Sequence, residues 1–420
     1  MGGVGAERRP DGGAPGVVIV GGGQAGIQLA DSLRTEGYNG PIDVFATEAH
    51  LPYQRPPLSK DFLGTADDPS ALPLRAEKFF AERDITFHRG VSVTGVDAAT
   101  RLITSSAGDV LGYAALVLAT GARNRQLAID GAELEGVHYL RTLDDATALR
   151  VELERARTAL VVGGGFIGLE FAASASQRGV AVTVLERGER IMGRVLSEPM
   201  SQHFSQLHGD ASVAIRLGEG IARLTGVDGH VTGGVGTSGA LYAADLVVVG
   251  IGVEPNVELG RMAGVGVSNG IEVDSYLRTS DPFVYAIGDC CSYPNAHTGT
   301  ITRLESVQNA VDQAKVLAKT LTGQPTEYVE LPWFWSQQGA DKLQIAGIVD
   351  VAGDPVLRGD PACGKFSVFC FRGDHLLGVE SVNNTADHLA ARRILSHHLP
   401  LTVAQAADPL FDLKAYSRAA

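Results

Sequence analysis

The sequence predicts an α/β protein in which two doubly wound βαβ units are followed by an α+β domain at the C-terminal end. The first observation is an apolar run at residues 17–20 that leads into glycines with Gly-x-Gly-x-x-Gly spacing. The second is the return of the same strand, glycines and helix-compatible run at residues 159–170. The third is that residues 324–420 hold alternating apolar segments but no such glycine pattern. Two complete βαβ units indicate parallel sheets covered by helices.

The first turn contains Gly21, Gly23 and Gly26, with Gln24 and Ala25 between them. A Rossmann-type turn needs its first glycine for the backbone angles, its second so that a pyrophosphate can approach the main chain, and its third for close packing of helix on strand. The free N–H groups at the helix start then bind phosphate. The turn therefore predicts a dinucleotide site, and a turn that is only tight is the alternative.

The second strand of this unit is predicted at residues 41–46, and Thr47 and Glu48 follow it. Because Rossmann folds place an acid at the end of this strand to bind ribose hydroxyls, Glu48 is the candidate for that contact. Residues 51–60 then read Leu-Pro-Tyr-Gln-Arg-Pro-Pro-Leu-Ser-Lys, and the three prolines exclude a helix or a central strand. We expect a stiff loop carrying Arg55 and Lys60 that either completes a cofactor pocket or is only a rigid surface connection.

Shorter elements complete the first unit. A short amphipathic helix is predicted at residues 78–83, and residues 91–96 and 101–104 suggest an antiparallel excursion. A buried strand then ends in the small-residue turn of Ala119, Thr120 and Gly121. Beyond it the chain enters a new unit, where Arg141 precedes a helix that runs toward residue 157.

The second glycine set is followed by a strand at residues 180–185 that delivers Glu186. This acid lies about 20 residues beyond the first glycine of its set, as a ribose-binding acid does. Two such units imply two dinucleotides, and the obvious pair is FAD with NAD(P)H. A carboxylate accepts hydrogen bonds from the 2′-hydroxyl of NADH and repels the 2′-phosphate of NADPH, so Glu186 favours NADH. Arg187 and Arg190 leave NADPH open.

The end of the nucleotide-binding region contributes three further features. An apolar strand at residues 244–252 ends in Gly252, and residues 284–289 form a strand that ends in Gly288 and Asp289. This aspartate is expected to bond ribitol hydroxyls, with a turn aspartate as the alternative. A helix predicted at residues 304–321 should direct its positive N-terminal end at a flavin. A further helix is predicted at residues 386–396.

Composition limits the classes of partner and compartment. The formal net charge of −13 argues against nucleic acid or an anionic membrane as a partner of the whole chain. The four cysteines, at positions 290, 291, 363 and 370, have no metal-ligand or Cys-x-x-Cys spacing, so we predict no metal site and a reducing, cytoplasmic location. No apolar run is long enough to cross a bilayer, and residues 1–15 are interpreted as a disordered leader without a signal sequence.

Five segments resemble a known family. They are residues 51–60, 163–170, 285–289, 303–310 and the Pro-Trp-Phe-Trp-Ser segment at 332–336. The chain resembles, from residue 17 to about 347, the NADH-dependent ferredoxin reductases that feed bacterial cytochromes P450 and Rieske-type oxygenases, in the glutathione-reductase-like FAD/NAD superfamily. The resemblance implies an FAD domain split into residues 16–121 and 244–323, an NAD domain at 122–243 between them, and a C-terminal α+β interface domain at 324–420.

The resemblance also implies which residues bind the cofactors. FAD would contact Ala25, Lys60, Val93, Arg141, Asp289 and Val307, and NADH would use Gly163, Gly165, Phe166, Ile167, Gly168 and Glu186. The other predicted cofactor-binding positions are Gly21, Gly23, Gln24, Gly26, Glu48, Arg55, Ala119, Thr120, Gly121, Gly252, Gly288, Ser306 and Trp335. Thr47 departs from the family, which commonly has Asp there, so Glu48 would hold the adenosine ribose of FAD alone or with a hydroxyl contact from Thr47.

Two pairs of residues carry the expected chemistry. Lys60 and Glu170 resemble the charged pair that family members place beside the flavin and nicotinamide. We expect this pair to poise hydride transfer, and a solvated pair of little energetic weight is the alternative. Trp333 and Trp335 are the only tryptophans. The resemblance implies that one of them lies near the flavin edge where a [2Fe–2S] ferredoxin docks, with core tryptophans as the alternative.

The predicted function is transfer of a hydride from NADH to FAD and of single electrons to a [2Fe–2S] ferredoxin, in a monomer or weak dimer. Because ferredoxins are usually acidic, docking needs a local positive patch, for which Arg55, Arg303, Lys342 and Arg372 are candidates. NADH peroxidases and disulfide reductases need a redox cysteine near the flavin, and residues 1–289 contain none. The open alternatives are a rubredoxin-type reductase and an NADH-responsive flavoprotein switch resembling apoptosis-inducing factor.

Overall fold

The structure is a computed structural model that describes residues 14–64, 72–349 and 351–418. Most of the leader predicted at residues 1–15 lies outside the described residues. The chain divides into two compact units. The first consists of Met1–Gln54, Ser70–Arg123 and Glu254–Glu330, and the second of Arg55–Pro69, Asn124–Val253 and Leu331–Ala420.

The strands are, in chain order, β1 (Gly16–Val20), β2 (Ile42–Ala46), β3 (Thr86–Arg89), β4 (Val93–Asp97), β5 (Leu102–Ser105), β6 (Val110–Leu118), β7 (Ala122–Asn124), β8 (Val137–Tyr139), β9 (Thr158–Val162), β10 (Ala181–Glu186), β11 (Ala214–Leu217), β12 (Ile221–Val227), β13 (His230–Gly236), β14 (Leu241–Ala243), β15 (Leu246–Val249), β16 (Val253–Pro255), β17 (Val267–Ser268), β18 (Gly270–Glu272), β19 (Val284–Ala286), β20 (Cys291–Pro294), β21 (Ile301–Thr302), β22 (Trp333–Gln338), β23 (Asp341–Gly347), β24 (Asp354–Asp360), β25 (Lys365–Arg372) and β26 (His375–Val382).

The α-helices are α1 (Gln24–Thr35), α2 (Lys78–Glu82), α3 (Leu143–Leu153), α4 (Phe166–Gln177), α5 (Glu198–Asp210), α6 (Glu258–Met262), α7 (Val307–Leu321), α8 (Thr385–Ser396), α9 (Val403–Ala407) and α10 (Leu413–Tyr416). Short 3₁₀ helices lie at Pro56–Ser59, Gly288–Cys290 and Pro361–Cys363.

The first unit is built on one large sheet. Strands β3, β2, β1, β6 and β19 are parallel neighbours, and β5 and β4 extend the sheet from β6 as an antiparallel meander. All five residues of β1 are buried, as expected of a central strand covered on both faces. Helices α1 and α7 pack against each other. The core of this unit therefore places the carboxyl end of β1, with its glycine turn, beside the start of α1.

The second unit contains two separate sheets of five strands. The parallel sheet has the order β11-β10-β9-β15-β8, and α4 connects β9 to β10. The antiparallel sheet has the order β22-β23-β26-β25-β24 and is covered by α8, whose Ala391 and Ile394 pack with Phe369 and Phe371. The predicted α/β class, with a C-terminal α+β part, is confirmed.

Two predicted helix ends shift by a few residues. Helix α7 begins at Val307 rather than near residue 304, since the Ser306 hydroxyl accepts a hydrogen bond from the Asn309 N–H at 3.1 Å. Helix α3 ends at Leu153, short of residue 157. In the part of the chain that the structure describes, no helix is long and apolar enough to span a membrane.

Candidate functional site

The glycines of the first turn fall into two kinds. Gly21 has φ +128°, and a Cβ atom there would lie 2.0 Å from the Ala119 carbonyl oxygen. A Cβ on Gly26 would lie 2.0 Å from the Gly21 carbonyl oxygen. The fold itself therefore requires both outer glycines. Gly23 differs, because its φ is −84° and no heavy atom lies within 4 Å of the Cβ position. The fold leaves space in front of this residue.

The second turn repeats this division. Gly163 has φ +108° and would place a Cβ 2.5 Å from the Gly250 carbonyl oxygen, and a Cβ on Gly168 would lie 2.4 Å from the Gly163 carbonyl oxygen. The nearest atom to a Cβ on Gly165 is 3.9 Å away. In both turns the middle glycine faces open space, which suits the close approach of a pyrophosphate.

Gly23 and Gly165 are the N-caps of α1 and α4, and neither helix start has a side-chain cap or an acidic residue in its first turn. By contrast, α3 has a complete capping box, formed by Thr142 and Asp145. The first N–H groups of a helix lack partners within the helix and carry its partial positive charge. The two uncapped turns therefore fit dinucleotide phosphates. Gln24, Phe166 and Ile167 are the first helical residues behind them.

The predicted ribose acids lie at the ends of the paired strands. Glu186 ends β10, and its carboxylate accepts hydrogen bonds from the N–H groups of Gly164 at 2.8 Å and Gly188 at 2.7 Å. Each oxygen keeps a lone pair for a ribose hydroxyl. Glu48 follows β2 and accepts a hydrogen bond from the Tyr53 hydroxyl. Thr47 is exposed and accepts a bond from the Ser92 hydroxyl at 3.1 Å.

The remaining predicted FAD positions of the first unit lie at two turns, in β4 and at the start of α7. The Thr120 hydroxyl donates to the Asn256 carbonyl at 2.7 Å, which fixes the turn after Ala119 and before Gly121. Gly288 has φ +77°, and its N–H donates to Gln313 Oε1 at 2.7 Å, just before Asp289. Val93 is buried in β4, whereas Val307, beside the cap residue Ser306, is exposed at the start of α7.

In the second unit, Arg55 Nη1 donates to the Arg141 carbonyl at 2.6 Å. The Arg141 N–H in turn donates to Asp145 Oδ2 at 3.0 Å. These bonds fix the proline-rich loop against the start of α3. Gly252 has φ +98°, and its carbonyl accepts a bond from the Arg125 N–H at 3.0 Å. The two bonds through Arg141 hold the loop that carries Arg55 in place, as its prolines predict.

Lys60 and Glu170 form the predicted ion pair, with Lys60 Nζ 2.7 Å from Glu170 Oε2. The pair is not solvated, because the side chains are only 13% and 5% exposed. Glu170 also accepts hydrogen bonds from the hydroxyls of Ser59 at 2.5 Å and Ser336 at 2.6 Å. A buried ion pair is favourable only when further hydrogen bonds satisfy its remaining polar atoms, and the two serine hydroxyls do this for the carboxylate.

The two tryptophans have different surroundings. Lys60 Nζ lies 5.4 Å from the centre of the Trp335 ring, so Trp335 belongs to the ion-pair site. The Trp333 ring instead lies 4.5 Å from the guanidinium of Arg392 and 6.0 Å from the ring of His388. Sequence reasoning missed Ser59 and Ser336, although both occur in the segments that carry the resemblance.

Three of the four candidates for the predicted positive patch can be compared by their exposure and their place in the fold. Arg303 pairs with Glu305 at 2.7 Å, and its side chain is 8% exposed, so it is not available for docking. Lys342 and Arg372 are exposed but lie at opposite ends of the antiparallel sheet. At one end of β26, Val382 pairs with Leu343, the neighbour of Lys342, and at the other end His375 pairs with Arg372. Such a separation is on the order of 20 Å.

The cysteines provide no redox pair. Cys290 and Cys291 are buried and unlinked, and burial raises the pKa of both thiols, that of Cys291 well above its usual range. Cys290 Sγ donates to the carbonyls of Leu118 and Ile287, each at 3.3 Å. Cys370 is also buried and unlinked, and Cys363 is free and exposed. The prediction of two packed thiols at 290 and 291 is confirmed.

A strand, an uncapped glycine turn and a helix, followed by a strand that leads into an acid, form the dinucleotide-binding arrangement, and this chain contains it twice. The chain belongs to the pyridine nucleotide-disulphide oxidoreductases, whose family profile matches residues 15–314. A second profile, described as the reductase C-terminal domain, matches residues 333–417.

Three similar proteins cover nearly the whole chain. It is 48% identical to rhodocoxin reductase from Rhodococcus erythropolis, over 95% of this chain and 93% of that protein. The solved ferredoxin reductase for the CYP199A2 system from Rhodopseudomonas palustris is 45% identical with a TM-score of 0.93, covering 96% of this chain and 99% of that one. The solved covalent complex of putidaredoxin reductase with putidaredoxin is 35% identical with a TM-score of 0.93, covering 97% and 99%.

Proposed function

We propose that this chain is an FAD-containing ferredoxin reductase that takes hydride from NADH and supplies single electrons to a [2Fe–2S] ferredoxin serving a cytochrome P450 or Rieske oxygenase. The observation that carries the proposal is the presence of two uncapped glycine turns, each in a strand–turn–helix unit whose next strand leads into an acid. The similar reductases, named for rhodocoxin, a CYP199A2 system and putidaredoxin, support the choice of acceptor.

When bound, FAD accepts a hydride from NADH and releases the two electrons one at a time. The residues of the chain would bind the two cofactors and orient them. The turn at Gly23, with Glu48, would hold the FAD pyrophosphate and adenosine ribose. The turn at Gly165, with Glu186, would hold NADH. These assignments are supported by the open space at each middle glycine and by the two Glu186 oxygens, each of which accepts one backbone N–H and keeps a lone pair for a ribose hydroxyl.

Lys60 is proposed to keep a fixed positive charge beside the reacting rings, and Glu170 to hold that charge in place. Burial makes this effective, since a charge that is shielded from water interacts more strongly with charge that develops nearby. Trp335 is the proposed neighbour of this site, given its contact with Lys60. The free thiols and the absence of a cysteine before residue 290 support a reducing, cytoplasmic location and disfavour disulfide chemistry.

Anaerobic stopped-flow measurements test the proposal. The FAD-loaded protein should be reduced by NADH and rapidly reoxidised by a [2Fe–2S] ferredoxin taken from a P450 or Rieske system. A reduced protein that persists as a long-lived charge-transfer dimer in the presence of such ferredoxins would contradict it and favour an NADH-responsive switch. Rapid oxidation by rubredoxin alone would instead favour the rubredoxin-type alternative.

A further inference from the structure

The hydrogen bonds around Glu170 continue beyond its immediate donors into the antiparallel sheet of the same unit. Ser336, which donates to Glu170 Oε1, is fully buried on β22. Gln338, two residues along the same face, is also fully buried, and its Nε2 donates to Ser336 Oγ at 3.0 Å. His208 Nε2, on α5, lies 3.1 Å from Gln338 Oε1. A chain of buried polar groups therefore leads from α5 to the ion pair.

The direction of each bond in this chain is determined. The second N–H of the Gln338 amide points to the Phe166 carbonyl at 3.3 Å, so Oε1 faces His208. His208 must then donate through Nε2–H, and it does so as a neutral ring, because burial lowers its pKa. Since Ser336 Oγ accepts from Gln338, the single proton of its hydroxyl is directed to Glu170. Every donor in the chain points toward the carboxylate.

We propose that Ser336 and Gln338 are positioning residues that keep Glu170 ionised and directed at Lys60. The inference rests on the part proposed above for the Lys60–Glu170 pair in hydride transfer. Hydrogen bonds to the charged form of a carboxyl group favour that form, and Glu170 receives them from Ser59, Ser336 and Lys60. Gln338 acts through Ser336 by preventing its hydroxyl from turning away. The titratable members of the network are Lys60, Glu170 and His208.

Thermal unfolding of the full-length FAD-loaded protein tests this independently of catalysis. Ser336→Ala should lower the melting temperature by about 2–4 °C at pH 7, and this difference should shrink once the pH is low enough to protonate the carboxylate, because a neutral carboxyl group gains less from the donor. Ser367→Ala is the matched control, because Ser367 is equally buried in the same sheet and bonds the neutral Ser381 hydroxyl at 3.0 Å. Its effect should not depend on pH. Equal pH behaviour of the two variants would overturn the inference.

The pH profile of flavin reduction by NADH gives the second measurement. Loss of the Ser336 hydroxyl should move the acid limb upward by about 1 pH unit, and Gln338→Met should move it in the same direction by less. If the melting temperatures behave as expected but the acid limb stays in place, the positioning of Glu170 holds and the proposed part of the ion pair in hydride transfer fails. Reduction of ferredoxin by the wild-type protein tests the proposed function separately.

Discussion

Lys60 Nζ and Glu170 Oε2 lie 2.7 Å apart although 110 positions separate the two residues in the chain. Lys60 belongs to the proline-rich loop, where it directly follows the 3₁₀ helix Pro56–Ser59, and Glu170 belongs to the first turns of α4. The Lys60 ammonium also donates to the Pro56 carbonyl at 3.0 Å. The stiff loop therefore fixes one partner, and the helix that follows the second glycine turn fixes the other.

Replacement of Lys60 should slow hydride transfer. Lys60→Met removes the charge and leaves Glu170 buried without its cation, so we expect the rate of flavin reduction by NADH to fall about tenfold or more. The measurement is anaerobic stopped-flow reduction. Lys78→Met is the control, because Lys78 is 78% exposed and pairs with Glu82 on the helix surface. An unchanged rate in the Lys60 variant would contradict the proposed role of the pair.

The two kinds of glycine should respond differently to alanine. Gly23→Ala should weaken FAD retention, and Gly165→Ala should raise the Kd for NADH about tenfold. Because both residues are helix N-caps, where alanine is less favourable than glycine, each variant should lower the free energy of unfolding of the cofactor-free protein by no more than about 1 kcal/mol. Gly21→Ala should instead destabilise that protein by more than about 1 kcal/mol, because of its positive φ and the Ala119 carbonyl. Calorimetry of the cofactor-free variants measures their stability, and titration with NADH measures the Kd.

Gly209→Ala is the matched control for the middle glycines. Gly209 lies within α5, and no atom lies within 4 Å of its Cβ position. It should stabilise the protein by about 0.5–1 kcal/mol without changing cofactor binding. Loss of stability in Gly23→Ala or Gly165→Ala that matches the loss in Gly21→Ala would show that the middle glycines serve the fold and not a ligand.

Glu186 should determine the preference between the nicotinamide cofactors. Glu186→Ala removes the acceptor for the ribose hydroxyls and the charge that repels a 2′-phosphate, so kcat/KM for NADH should fall about tenfold while that for NADPH stays level or rises. Steady-state kinetics with both cofactors measure the ratio. Glu189→Ala, at an exposed position of the same loop, should leave the ratio unchanged. Equal losses with both cofactors would mean that Glu186 only holds the glycine turn.

Glu380 should make the protein less stable as the pH rises. Burial raises the pKa of this carboxyl to about 7, although the N–H and the hydroxyl of Ser197 donate hydrogen bonds to it that act in the opposite direction. The folded state therefore keeps a proton that the unfolded state releases from about pH 4.5 upward, so stability falls as the pH rises from there to about 7 and stays lower above it.

Glu380→Gln cannot ionise and should raise the free energy of unfolding by on the order of 2–3 kcal/mol at pH 8, and by little at pH 4.5. Urea unfolding at the two pH values measures the difference. Glu198→Gln is the control, because Glu198 is exposed at the start of α5, next to Ser197, and accepts a bond from Gln202 at 3.0 Å. An equal gain at both pH values would mean that folding does not raise the pKa of Glu380.

Local sequence determines the parts that were predicted well. The glycine turns, the strands before them and the position of Glu186 depend on neighbouring residues, so the pattern alone locates them. The partner of Lys60 depends on the resemblance, because no local rule joins residues in a loop and a distant helix. Ser336 reaches Glu170 across 166 positions, and only the packing of β22 against α4 brings them together.

Among the docking candidates, the expectation for Arg303 was wrong, and Lys342 and Arg372 lie far apart, for a related reason. Lys342 and Arg372 belong to strands that are parallel to each other, one at a strand start and the other at a strand end, and the register through β26 separates them. Arg303 was expected at the surface, but its pairing with Glu305 removes it from the surface. Charge alone does not indicate which side chains share a surface, since strand register and local pairing decide it.

The burial of the thiols has a practical consequence. Cys290, Cys291 and Cys370 are buried, whereas Cys363 is exposed in the turn between β24 and β25. Because alkylating reagents attack accessible thiolates, a maleimide dye added to the unmodified protein should attach at Cys363 alone. The chain therefore carries a natural single labelling position on its C-terminal sheet, from which fluorescence can report the approach of an electron carrier without engineered cysteines.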